Sequence, residues 1–185
     1  MKPLLRAAFS FLLFGATLSL SAETLTYPKD HPLFTIEVPD DWQVNPERNG
    51  PLMVQTEDLS VVAVFDGPLR GVKDLTTAKE AVAMQKKESA KSTGYTDFRE
   101  IAPIKEMKLN ERIDAVGAQY HAKLPSGQPC IYIVAIFSPD GTHYCSAELS
   151  VKASGLLPAI EKQWQSLLDS IARAEDEKKQ STEDD

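Results

Sequence analysis

Chemistry in a protein chain needs nucleophiles, proton carriers or metal ligands at workable spacing, so His31, His121, His143, Cys130 and Cys145 come first. The histidines form no H-E-x-x-H pair and the cysteines no C-x-x-C, so neither common zinc spacing is met. His143 lies two residues from Cys145, and residues so placed on a strand share a face without meeting as base and nucleophile. A buried, structural role suits both thiols better, because free cysteine packs as a small hydrophobe. There is no G-x-S-x-G elbow and no G-x-x-x-x-G-K phosphate loop. Asp140-Gly141 is not followed by the acidic ligands of a calcium loop. Asp40 and Asp41 are adjacent in a turn and diverge, whereas acid–base carboxylates must converge on one substrate atom. The sequence therefore assigns no catalytic residue, no cofactor-binding residue and no metal ligand. It reads as a non-enzyme, with a hydrolase built on a site assembled only in the fold as the last alternative.

Binding chemistry has a few footholds. The loop from Asp66 to Leu75 carries Gly67, Pro68, Arg70 and Gly71, and Arg70 has the geometry to grip a carboxylate. A cleft beside this loop would suit a small-molecule or metal carrier. Lys79, Lys86, Lys87 and Lys91 fall on one side of a helix, which is most simply a solvated face.

These residues must be held by a sheet with two helices. Phe34, Ile36 and Val38 alternate with Leu33, Thr35 and Glu37 at the period of a half-buried strand, which Pro39, Asp40 and Asp41 end. Strands follow at 51–56 and 59–65, where the run Val61 to Phe65 is apolar throughout and suggests burial on both faces. Thr77-Ala78-Lys79-Glu80 has capping-box spacing and starts a helix that Gly94 stops. Its inward stripe is Ala78, Ala81, Val82, Gln85 and Ser89. Four strands come next, at 97–107, 112–124, 129–138 and 142–152, with turns at Pro125-Ser126-Gly127 and Pro139-Asp140-Gly141. A second helix carries Leu157, Ile160, Trp164, Leu167, Leu168 and Ile171 on one stripe. The order is βββ-α-ββββ-α. Runs of antiparallel strands with helices inserted define an α+β fold with a central antiparallel sheet of six to seven strands flanked by helices.

The hairpin fixes an expectation for the cysteines. With Asp140 and Gly141 as its turn, Cys130 faces Val151 and Cys145 faces Ile136, both thiols on one face. Six positions then separate them along the strands, roughly 20 Å at about 3.3 Å per residue, against the 7 Å or so a disulfide allows between α-carbons. Both are expected buried and reduced.

The ends of the chain and its composition set the compartment. Lys2 and Arg6 precede an uncharged stretch from Ala7 to Ala22 that closes on Ser19, Leu20, Ser21 and Ala22, the three parts of a secretory signal peptide. The stretch is sixteen residues, short of the roughly 20 a span needs, and has no cysteine for lipid attachment near its end. Residues 1–22 are thus read as a leader, 23–174 as a single domain, and the acidic run 175–185 as a disordered tail without an apolar residue. The 185 residues carry a net charge of -7, which becomes -9 without the leader and argues against nucleic acid and anionic lipid as partners. A periplasmic or secreted protein without stable membrane insertion is expected, its oligomeric state open.

Phe34-Thr35-Ile36-Glu37-Val38-Pro39-Asp40-Asp41-Trp42 resembles the strand-turn-tryptophan opening of the PsbP-like superfamily, and Leu167-Leu168-Asp169-Ser170-Ile171 resembles its closing helix. That group spans the photosystem II extrinsic protein, the Ran-binding Mog protein and bacterial secreted DcrB-like proteins. The resemblance covers nearly the whole exported chain as an order of elements. It implies an α/β/α sandwich, a packing role for Trp42, and binding or assembly of a protein partner in place of catalysis. It transfers no functional residue, and neither photosynthesis nor nuclear transport is implied.

Overall fold

The computed structural model describes residues 22–45, 50–153 and 158–174, so the proposed leader, the acidic tail and Leu157 lie outside the described residues. Among the described residues, ten strands and two helices run in the order β1 (Ala22–Tyr27), β2 (Phe34–Pro39), β3 (Trp42–Asn45), β4 (Leu52–Thr56), β5 (Val61–Asp66), α1 (Leu75–Ser92), β6 (Thr96–Leu109), β7 (Ile113–Lys123), β8 (Pro129–Phe137), β9 (Cys145–Val151), α2 (Pro158–Asp169) and β10 (Ala172–Arg173). The seven strands expected from the sequence are all present, and β1, β3 and β10 join them.

All pairings are antiparallel. Seven strands form the central sheet in the order β3-β4-β5-β9-β8-β7-β6, and β1-β2-β10 form a second, smaller sheet. The fold class is therefore α+β, as the runs of strands predict. A side chain's parity along its strand decides which of two cores it enters. Odd-numbered Val61, Ala63, Phe65, Ile131, Phe137, Ala147, Leu149 and Val151 face the small sheet and α2. There Phe34, Ile36 and Val38 of β2 meet Trp164, Leu167, Leu168 and Ile171, with the Phe65 and Trp164 rings 6.2 Å apart. Trp42 is buried in the same core, a packing residue as expected. Even-numbered Val116, Ala118, Tyr120, Ala122, Tyr132, Val134 and Ile136 face α1 through Ala78 and Val82. On β5 the odd residues are fully buried while Val62 and Val64 are half-buried, so the apolar run is covered more completely on one face than on the other.

Two local expectations are corrected. Helix α1 starts at Leu75, two residues before Thr77: Asp74 is the N-cap, its carboxylate accepting from the Thr77 amide at 2.8 Å while Thr77 Oγ1 accepts from the Asp74 amide at 3.0 Å. Thr77 thus closes the box in place of opening it, since a carboxylate at the cap satisfies the first free amides. The stripe of α1 is otherwise as expected, with Ala78, Val82 and Ser89 buried and Gly94 in the left-handed region just beyond the Thr93 cap.

The β8–β9 register is the second correction. Phe137 pairs with Cys145 and Ile131 with Val151, one residue away from the sequence-based register. The connection from Ser138 to Tyr144 has seven residues and is held by Asp140, whose Oδ1 accepts from the Thr142 and His143 amides at 2.8 and 2.7 Å. A loop of odd length centres on Gly141 itself, and a one-residue slip sends side chains to the opposite face. Cys145 accordingly enters the core under the small sheet and Cys130 the core under α1. Both are buried and unbridged, as expected.

Candidate functional site

The site begins with β1, whose register against β2 is continuous from Ala22↔Pro39 to Tyr27↔Phe34. Thr24-Leu25-Thr26-Tyr27 has the β-branched and aromatic character of a strand, with Leu25 and Tyr27 packed on the core and Thr24 and Thr26 exposed. Its other edge borders a cleft of about 1290 Å³. The far wall comes from Val44 of β3, Leu52 of β4, and the turns that carry Asp66, Pro68 and His143.

Tyr27 closes one end. Its hydroxyl donates to the Gly50 carbonyl and to Asp66 Oδ1, both at 3.4 Å. Burial, reinforced by the negative Asp66, pushes the Tyr27 phenol up to about 12. Asp66 Oδ1 also accepts from the Gly67 amide at 2.8 Å, so this carboxylate is oriented by two donors at the head of the loop. Gly67 in turn lies on Cys145: a Cβ at Gly67 would sit 2.7 Å from Sγ. The Leu69 amide donates to the Tyr144 carbonyl at 2.7 Å, which ties this loop to the β8–β9 connection.

His143 stands exposed at the cleft with Nδ1 2.6 Å from Asp140 Oδ2. Burial pushes the Asp140 carboxyl up, but the His143 side chain and the amides of His143 and Thr142 outweigh it and hold Asp140 well below the usual carboxylate range. Cys145 is within two residues but points into the core, where burial and then the charges of Asp140 and Asp66 push its thiol up to about 12. A protonated, buried thiol is no nucleophile at neutral pH. The histidine and the cysteine do not form a dyad, in line with their spacing.

The remaining residues singled out by the sequence scatter. Arg70 is exposed on the loop but does not line the cleft. Asp40 and Asp41 are exposed at the β2–β3 turn. His31 lines the cleft, whereas His121 is exposed on β7. Among the described residues no three His, Cys, Asp or Glu side chains converge as a metal-binding set. On α1, Lys79 pairs with Glu106 at 2.7 Å, Lys91 with Glu88 at 2.9 Å, and Lys86 lies 5.1 Å from the Tyr120 ring centroid, so the lysines do not make one open basic patch. Under α1, Gln85 and Ser89 bond Glu148, and Tyr132 Oη bonds Glu148 at 2.5 Å and Ser89 at 2.9 Å. This polar cluster is internally satisfied and fixes α1 on the sheet. Sequence reasoning missed β1 and Tyr27, and named Asp66 only as the start of the loop; the alternation Thr24-Leu25-Thr26-Tyr27 was the available signal.

Two helices on opposite faces of a seven-stranded antiparallel sheet, with a small sheet beside the second helix, constitute a PsbP-like fold. No protein-family model matches the sequence, and no curated protein does. Among solved structures the chain is similar to cyanobacterial PsbP (CyanoP) from Synechocystis sp. PCC 6803, with TM-score 0.60 and 12% identity over 86% of this chain and 96% of that one. It also aligns with PA94 from Pseudomonas aeruginosa, a protein of unknown function, at TM-score 0.44 and 16% identity over 80% of this chain and 94% of that one.

Proposed function

We propose that the chain is an exported, non-enzymatic binding protein of the bacterial cell envelope, which supports an assembly by holding a protein partner in the cleft along β1. The observation that carries this reading is the cleft itself, about 1290 Å³ and bordered by a strand whose outer edge no described strand pairs. Small-ligand sites enclose about 300–1,000 Å³, and a larger cleft open along a strand fits a polypeptide better than a carried metabolite. Of the side chains lining the cleft, burial and the neighbouring Asp66 push the Tyr27 phenol up to about 12, and among the described residues no three His, Cys, Asp or Glu side chains converge there, which supports binding over catalysis. Export rests on the leader pattern of residues 1–22, and no helix among the described residues is long and apolar enough to cross a membrane.

The test is a native mass spectrum of the protein isolated from its own host's envelope. The reading expects the chain from near Glu23 together with a second polypeptide. A bare chain that turns over an ester, phosphate or glycoside, and loses this on a single side-chain change, would overturn it.

A further inference from the structure

We infer that the partner enters the cleft as an extended segment bearing Lys or Arg, adding as a new strand to the open edge of β1; this rests on the binding reading above. Every residue from Glu23 to Leu33 lines the cleft. Side chains alternate along a strand, so a cleft that touches consecutive residues of β1 runs along its edge and not under one of its faces.

The backbone groups on that edge can be assigned. The Glu37 amide donates to Ser170 Oγ at 2.9 Å, and Thr35 pairs with Ala172 of β10, so both turn their polar groups away from β1. In an antiparallel ladder, directly opposite residues either exchange hydrogen bonds or both point outward. Thr24 faces Glu37 and Thr26 faces Thr35, so Thr24 and Thr26 direct N–H and C=O into the cleft.

The other sheet edges among the described residues are blunted. Strand β6 carries Pro103 and three register shifts, β3 has four residues and β10 two. Strand β1 has six residues in unbroken register and no proline, the kind of edge that natural proteins otherwise protect. Edge addition of an extended peptide uses such main-chain groups for affinity and side pockets for selectivity. Charge selects the guest: the side chains of Glu23, Asp30 and Asp66 line the cleft against Lys29, a formal -2 with the histidines neutral, on a chain whose net charge of -7 becomes -9 without residues 1–22.

The test is an amide-resolved NMR titration of the protein, expressed with its own leader and purified as it accumulates. The probe is a capped peptide alternating lysine and valine, a little longer than β1, with a glutamate–valine peptide as comparator. Expected are saturable shifts of the Thr24 and Thr26 amides with the lysine peptide alone, and loss of the Thr24 shift in Thr26→Pro, which removes an outward N–H and leaves the bonds to β2. Should that variant not fold, Glu23→Gln with Asp66→Asn leaves the ladder intact and is expected to weaken binding about tenfold at low salt. No binding, equal binding of both peptides, or shifts elsewhere in the fold overturn the inference. A second polypeptide found on the envelope-purified protein would, in that case, leave the binding reading standing without this mode.

Discussion

Replacing Gly67 with alanine probes the contact that joins the cleft to the core. A Cβ there would lie 2.7 Å from Cys145 Sγ and 3.1 Å from both Cα and Cβ of Cys145. Carbon contacts are optimal near 3.5–4.0 Å, so all three overlap. The sulfur can rotate, but the other two atoms are fixed by the pairing of Cys145 with Phe137 in the β8–β9 ladder. The loop cannot lift freely either, because the Leu69 amide is bonded to the Tyr144 carbonyl. Overpacking of this kind costs about 1–3 kcal/mol. Gly67 also has φ +156°, which a side chain adopts at a further cost of about 1–3 kcal/mol. Even the lower sum, about 2 kcal/mol, lowers the Tm of a domain this size by about 4–8 °C. Thermal and urea unfolding of Gly67→Ala, Cys145→Ala and the double variant measure it. The double variant is expected to be more stable than the two single losses predict, by about 0.5–3 kcal/mol, because the sulfur contact is gone. A Gly67→Ala protein that melts within about 1 °C of the parent, or strictly additive losses, would refute the placement of this loop on Cys145.

Thiol counting should find two free thiols in denaturant and slow reaction of both in the native protein, since Cys130 and Cys145 are buried on opposite faces of the sheet; a closed bridge would contradict the register. Tyr132→Phe removes the hydroxyl that bonds Glu148 and Ser89, and should cost about 1–3 kcal/mol in urea unfolding, whereas a loss under about 0.5 kcal/mol would mean that the cluster does not hold α1. Alkali should unfold the protein early. Tyr27 and Cys145 are raised to about 12 from 10 and 9, and burial followed by the neighbouring Glu148 raises Tyr132 further. Each gives stability that is complete below its unfolded pKa and lost as pH climbs toward the folded one, so the urea midpoint should fall from about pH 9 upward, and less steeply in Tyr27→Phe.

The parts of this fold that were legible in the sequence are those written in local periodicity. The alternation from Val116 to Leu124 and the stripe of Ile160, Trp164, Leu167, Leu168 and Ile171 each place a strand or helix and its buried face without outside help. Strands β3 and β10, of four and two residues, are too short to show a period and exist because neighbours supply ladder partners. Strand β1 directly follows the stretch Ala7 to Ala22 that reads as a targeting pattern, and its few apolar residues merge into the end of that stretch. The faces of Cys130 and Cys145 depended on one residue of loop length, and that was set by the Asp140 carboxylate bonding two amides. A cleft beside the Asp66–Leu75 loop was anticipated, but its course along β1 was hidden: Tyr27, Asp66 and His143 are far apart in sequence, and only the stacking of one sheet beside the other brings them to one opening.

The central claim, that a protein partner sits in the cleft along β1, is tested most directly by photo-crosslinking in intact host cells. One protein would carry the crosslinker at His31, exposed on the cleft rim, and another at Lys87, exposed on α1 across the sheet. The account predicts a discrete adduct with one second polypeptide from position 31 and none from position 87. Adducts from position 87 alone, or no adduct from either position, would contradict it.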